Sequence, residues 1–132
     1  MPFWNLSRIE ADQGAGIPDV LLEDGRHRLQ FIELKVLSRG NKVKFQPSQV
    51  SFLTQHAGAL CWILIENLKS DPYTYLLYGA GDVRKLLEQG VLLPALLVSA
   101  DLTKILKYLE DYECFYFFGW PKNSTTPTNR TK

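Results

Sequence analysis

Arg28-Leu29-Gln30-Phe31-Ile32-Glu33-Leu34-Lys35-Val36 is the stretch on which the reading of this chain turns. Its length and apolar content predict a strand. Side chains alternate across a strand, so Phe31, Glu33 and Lys35 share one face while Ile32, Leu34 and Val36 share the other. The apolar trio is expected to face the core. The opposite face then presents an acid and a lysine about 7 Å apart along the backbone. Such a pair on a rigid strand can bind a divalent cation and support a nucleophile beside it. Glu-x-Lys triplets are common, however, and an ordinary ion pair at a sheet surface would read the same way.

A second carboxylate lies just upstream. After the loop Gly14-Ala15-Gly16, residues Pro18 to Glu23 read as a strand, with Asp24-Gly25 as a turn signal. Pro18 biases Ile17 toward extended geometry and so sets how Asp19 enters the sheet. Asp19 near Glu33 would supply the second hard oxygen that Mg²⁺ prefers, although a turn or capping role accounts for Asp19 equally well alone. A tight two-residue hairpin at Asp24-Gly25 would pair Asp19 with Gln30, on the wrong face and about 10 Å short of Glu33. Shared metal binding therefore requires a wider connection centred near Arg26, or a bulge. Further upstream, Trp4 to Asp12 is expected to be a short helix carrying Glu10.

Downstream, a polar loop from Ser38 to Lys44 leads to Pro47, which suits the first turn of a helix running to about Ala57, with Gly58 as its stop. Leu60 to Glu66 is short enough to be a buried strand, and Thr74 to Tyr78 follows as the next. Asp82 to Gln89 is helical and closed by Gly90. Leu102, Ile105, Leu106 and Leu109 mark an amphipathic helix. This order implies a mixed α/β or α+β domain with a central sheet flanked by helices. A chain of 132 residues fits one such domain, placed at 1–120 and followed by a polar tail over 121–132.

A net charge of +1 does not by itself point to nucleic acid. Its distribution is more telling: Arg26, Arg28, Lys35, Arg39, Lys42 and Lys44 stand against the single acid Glu33. A phosphate-facing surface has this look, and so does a solvated basic loop. Arg8, Arg39, Lys42 and Lys44 are the candidates for contacts to a phosphate backbone, with plain solvated charge as the equal alternative. Cys61 and Cys114 sit in apolar segments without metal spacing and read as small buried hydrophobes in a reducing compartment. The N-terminus lacks a signal-peptide pattern and no apolar run approaches membrane-spanning length, so a cytoplasmic protein is expected. The aromatic run Phe115, Tyr116, Phe117, Phe118 and Trp120 suits either a final core strand or an interface.

Gly16-Ile17-Pro18-Asp19-Val20, then Phe31-Ile32-Glu33-Leu34-Lys35, resembles the PD-(D/E)XK nuclease superfamily. The following Gln46-Pro47-Ser48-Gln49, opening a helix that ends at Ala57-Gly58, is similar to its VRR-NUC branch. The likeness covers roughly Glu10 to Leu64, about half the chain, with its parts in the family's order. It implies a restriction-endonuclease-like sheet and a phosphodiesterase dependent on Mg²⁺ or Mn²⁺. Asp19 and Glu33 would be metal ligands, assisted by the backbone carbonyl of Leu34. Lys35 would activate the attacking water and stabilise charge on the phosphate, and Gln49 would face the same pocket. Glu10 matches an extra N-terminal acid that reaches the metal through water, but its gap to Asp19 is short for the family. Stand-alone domains of this kind resemble Holliday-junction resolvases, are familiar from phages and bacteria, and work as homodimers on branched DNA. A nicking or linear-duplex endonuclease and a non-catalytic DNA-binding domain are the rival expectations.

Overall fold

A computed structural model describes residues 5–8, as backbone, and residues 16–113. Glu10, Cys114, the aromatic run after it and the tail at 121–132 lie outside the described residues. Within them, one mixed sheet is built from β1 (Asn5–Arg8), β2 (Val20–Glu23), β3 (Leu29–Leu37), β4 (Cys61–Asn67), β5 (Thr74–Gly79) and β6 (Leu97–Ser99), in that spatial order. The α-helices are α1 (Pro47–Gln55), α2 (Val83–Gln89) and α3 (Leu102–Asp111). All neighbouring strands are antiparallel except β3 and β4, which α1 connects in parallel. The fold is α+β, as expected.

Two strands differ from the sequence reading. Residues 5–8 are not the start of a helix but the edge strand β1, with Asn5 opposite Glu23 and Arg8 opposite Val20. So short a segment gains little from helix formation alone, whereas a neighbouring strand offers it a ready ladder. β6 was not anticipated, because three residues are too few for an alternating pattern to stand out.

The β2–β3 hairpin has the wide connection that the site requires. Val20 pairs with Ile32 and Glu23 with Leu29, so the register is centred on Arg26. The Asp24 carbonyl accepts from His27 N–H at 2.9 Å, and Asp24 N–H donates to the Arg28 carbonyl at 3.0 Å. His27 then takes the left-handed conformation, with φ at 62°. This is a three-residue loop whose last residue turns the chain back into register. Asp19 lies one residue before the Val20–Ile32 pair, and this register brings it toward Glu33.

Both faces of the sheet are covered, and β4 is buried from Cys61 to Ile65. α1 and α2 pack on the face of Leu37, Ile63, Ile65 and Tyr78, where Leu53, Val83 and Leu86 complete a core. α3 packs on the other face, with Ile105 and Leu109 against Ile32, Trp62, Leu64 and Leu77. The expected inward trio is therefore only partly inward: Ile32 is buried, but Leu34 and Val36 are 40% and 61% exposed. α3 covers β3 at the level of Ile32 and leaves these two outside its footprint. The more enclosed side chain is Glu33, at 2% exposed on the α1 face.

At the other end of β3 a buried polar network joins the hairpin to α3. Arg28 bonds Asp24 and donates to the carbonyls of Leu109, Glu110 and Tyr112 at 3.3, 2.8 and 2.6 Å. These are carbonyls that the helix end cannot satisfy itself. Gln30 donates to Asp24 Oδ2 at 2.7 Å and accepts from Trp62 Nε1 at 2.8 Å. No helix among the described residues is long and apolar enough to cross a membrane.

Candidate active site

Asp19, Glu33, Lys35 and Gln49 come together, from two strands and one helix. Asp19, one residue before the Val20–Ile32 pair that opens β2, comes beside Glu33, whose carboxyl feels both its charge and its backbone N–H. Asp19 Oδ2 accepts from the Leu34 N–H at 3.1 Å, which fixes the carboxylate against β3. Lys35 Nζ lies 3.5 Å from Glu33 Oε2. It donates to Gln49 Oε1 at 3.2 Å, and Gln49 Nε2 donates to Glu33 Oε2 at 2.9 Å. Lys35, Glu33 and Gln49 thus form a closed triangle.

The approach of α1 to this triangle has a local cause. Gly16 sits at φ +74°, and a Cβ there would collide with the Ser48 carbonyl. Only glycine lets the chain before Asp19 pass so close to the first turn of α1. Pro47 begins the helix and Gln46 caps it in an extended conformation. Gln49 is then the third helical residue, and its Oε1 accepts from Gln46 N–H at 2.9 Å. With both ends of its amide engaged, Gln49 has one orientation that satisfies every partner.

Electrostatics mark Glu33 as the centre. Burial, and next the charge of Asp19, push its carboxyl up from 4.5 to about 7, against the lowering effect of Lys35 and of hydrogen bonds. Two carboxylates face one ammonium, so ionising both leaves an uncompensated negative charge in an enclosed place. A divalent cation would relieve this, and the hard oxygens of Asp19 and Glu33 are donors of the right type for Mg²⁺ or Mn²⁺. Backbone alternation favours the Leu34 carbonyl as a third donor. Phe31 N–H bonds toward β4, at Leu60, so the N–H and C=O of Leu34 both open toward β2 and Asp19. Among the described residues no group of three or more His, Cys, Asp or Glu side chains could hold a metal. Two carboxylates suit Mg²⁺, which keeps several waters rather than filling its shell from protein.

The basic stretch divides. Arg28 is buried in the network at the end of α3, and Arg26 reaches the Glu110 carbonyl and, at 3.0 Å, Glu113. The carbonyls at the α3 C-terminus engage both, but only Arg28 is withdrawn from the surface, and Arg26 stays exposed. Lys42 Nζ bonds the Glu88 carbonyl near the end of α2. Arg39 and Lys44 are exposed on the loop between β3 and α1. The Arg8 side chain lies outside the described residues, though its backbone is on edge strand β1.

Two contributors escaped the sequence reading. Phe45 places its ring under Lys35 Nζ, which lies 4.7 Å from the ring centroid, and Gln46 holds Gln49 through its N–H. The second had a signal: Gln46-Pro47-Ser48-Gln49 has capping-box spacing with proline at the first helical position. Compared with known proteins, the chain matches no family model, no curated protein and no solved structure.

Proposed function

We propose that this chain is a metal-dependent endodeoxyribonuclease of the PD-(D/E)XK type that acts on branched DNA, after the manner of a Holliday-junction resolvase. The observation that carries the reading is the convergence of Asp19 and Glu33 beside Lys35 and Gln49. Asp19 and Glu33, with the Leu34 carbonyl, would hold Mg²⁺ or Mn²⁺. Such an ion supplies Lewis acidity toward the phosphate and lowers the pKa of bound water. The chain's own part is to hold charge and orientation in place. Lys35 keeps a positive charge where negative charge develops on the phosphate, and its neighbours fix the ammonium so that little reorganisation is needed. Gln49, locked by Gln46, offers its amide to water or phosphate once Glu33 turns to the cation.

Selectivity for DNA structure rests on what the sheet offers a duplex. The described elements include no recognition helix of helix-turn-helix type and no zinc finger, so base-edge reading has little support. Arg39 and Lys44, exposed on the loop that joins β3 to α1, would serve as backbone contacts, and a homodimer would set two sites on opposing strands. The deciding measurement compares cleavage of a four-way junction with a matched linear duplex in Mg²⁺ and Mn²⁺, and again with chelator. Faster junction cleavage that the chelator removes is the expected result. Equal rates would favour the nicking or linear-duplex enzyme. No metal-dependent cleavage of either substrate would overturn the nuclease reading.

A further inference from the structure

We propose that Phe45 is a positioning residue for Lys35: its ring face, with the Gln49 amide that Gln46 locks, forms a neutral seat holding the ammonium when Glu33 is drawn to a cation. This rests on the nuclease reading above for its catalytic consequence, but not for the contact itself.

Lys35 Nζ has three described neighbours of negative character: Glu33 Oε2 at 3.5 Å, Gln49 Oε1 at 3.2 Å and the Phe45 ring, whose centroid is 4.7 Å away. They differ in what a cation does to them. Glu33 is also a candidate ligand, so an ion bound there competes for the same carboxylate and repels the ammonium. Gln49 Oε1 and the ring face carry no net charge to surrender. The negative face of an aromatic ring attracts an ammonium within about 6 Å, more strongly where water is partly excluded. Glu33 therefore holds Lys35 only in the absence of the cation, and the neutral pair holds it in both states.

The seat is built before any ligand arrives. Phe45 is half-buried, packed on the core of the α1–α2 face. Gln46 follows it in extended backbone, with φ −74° and ψ 153°, the geometry that Pro47 favours in its predecessor. Three consecutive residues thus place the ring, the amide lock and the helix start. Leucine at 45 would fill much of the same space without a negative face, and tyrosine would keep both.

The test pairs spectroscopy with kinetics on Phe45→Leu and Phe45→Tyr. The Lys35 side-chain resonances, identified by their absence in Lys35→Met, should be ring-shielded in the wild type, with and without Mg²⁺. The shielding should vanish in Phe45→Leu and persist in Phe45→Tyr. In junction cleavage Phe45→Leu should lower kcat by roughly 10-fold at unchanged KM, and Phe45→Tyr should restore it. Thermal unfolding of both variants identifies a packing loss. Unshielded Lys35 resonances in the wild type, or shielding lost on adding Mg²⁺, would overturn the seat. So would wild-type kcat in Phe45→Leu, or equal impairment in both variants. A wild type that cleaves no DNA overturns the nuclease reading instead, and the resonance shifts then decide the seat.

Discussion

Gln49 donates to Glu33 Oε2 at 2.9 Å, so the most enclosed acid of the sheet is tied to the first turn of the helix that crosses above it. The same glutamine accepts from Lys35 and from the Gln46 N–H. One side chain therefore links the strand that carries the charges to the helix that roofs them. The parallel step from β3 to β4 is what sends α1 across this face, so the topology and the site have a common origin.

Lys35→Ala should reduce cleavage at least ~10²- to 10³-fold, the scale seen when one preorganised donor is removed from a transition state. Folding and DNA binding should be far less affected, because Glu33, already raised to about 7, can keep its proton once the ammonium is gone. Single-turnover rates and a junction-binding titration, both in Mn²⁺, measure the two halves. Robust residual cleavage contradicts the role given to Lys35.

Gln49→Ala removes two hydrogen bonds that hold Lys35 and Glu33, and one that closes the start of α1. The loss in cleavage should be roughly 10- to 100-fold, as for residues that orient metal ligands. Gln49→Glu should be worse than Gln49→Ala in stability above pH 7, since it sets a third carboxylate beside Glu33 and Asp19. Denaturant midpoints at pH 6 and pH 8 distinguish the variants; a Gln49→Glu protein as stable as Gln49→Ala at pH 8 contradicts the geometry.

Glu33 makes stability depend on pH in a stated direction. Its carboxyl is raised from 4.5 to about 7 by burial and by the Asp19 charge. Between those values the native chain holds a proton that the unfolded chain has released. The resulting stabilisation is complete below 4.5 and lost as pH rises through about 7. Its size is about 3 kcal/mol. Glu33→Gln, which never ionises, should therefore be the more stable protein at pH 8 and lose that advantage below pH ~4.5. Mg²⁺ should narrow the gap at pH 8 by binding the wild type alone. Urea unfolding across this range gives the answer, and a gap independent of pH would refute the assignment.

The strand face and the helix start were legible from short-range rules, whereas the hairpin width followed from what the site demands. Period-two alternation put Glu33 and Lys35 together, and the requirement that Asp19 meet Glu33 fixed a register centred on Arg26. What stayed hidden depends on distant partners. Nothing local tells that Leu34 and Val36 lie beyond the footprint of α3, whose placement is set some seventy residues later. Arg28 looked like part of a basic surface because the carbonyls it satisfies belong to Leu109, Glu110 and Tyr112. Phe45 lies between Lys44 and Gln46 with nothing local to mark it, and only the tertiary fold shows its ring beneath Lys35.

The Asp24–Arg28 pair should prove the strongest single tie between the hairpin and α3. Burial alone would raise the Asp24 carboxyl, but hydrogen bonds from the Arg28 amide, Gln30 and the Arg26 amide, with the Arg28 charge, hold it below its ordinary 3.8. Its contribution is therefore present above 3.8 and lost as pH falls through the depressed value. Asp24→Ala strands a buried guanidinium and takes a partner from Gln30, a change that typically costs about 3–5 kcal/mol. Arg28→Met strands the carboxylate and frees the α3 carbonyls at similar cost. The double variant should be less damaged than the sum of the two, because the second change removes the group that the first left unpaired. Urea unfolding of the four proteins at pH 7 measures the coupling. Strictly additive losses would mean that the two side chains act apart, against their 3.1 Å contact.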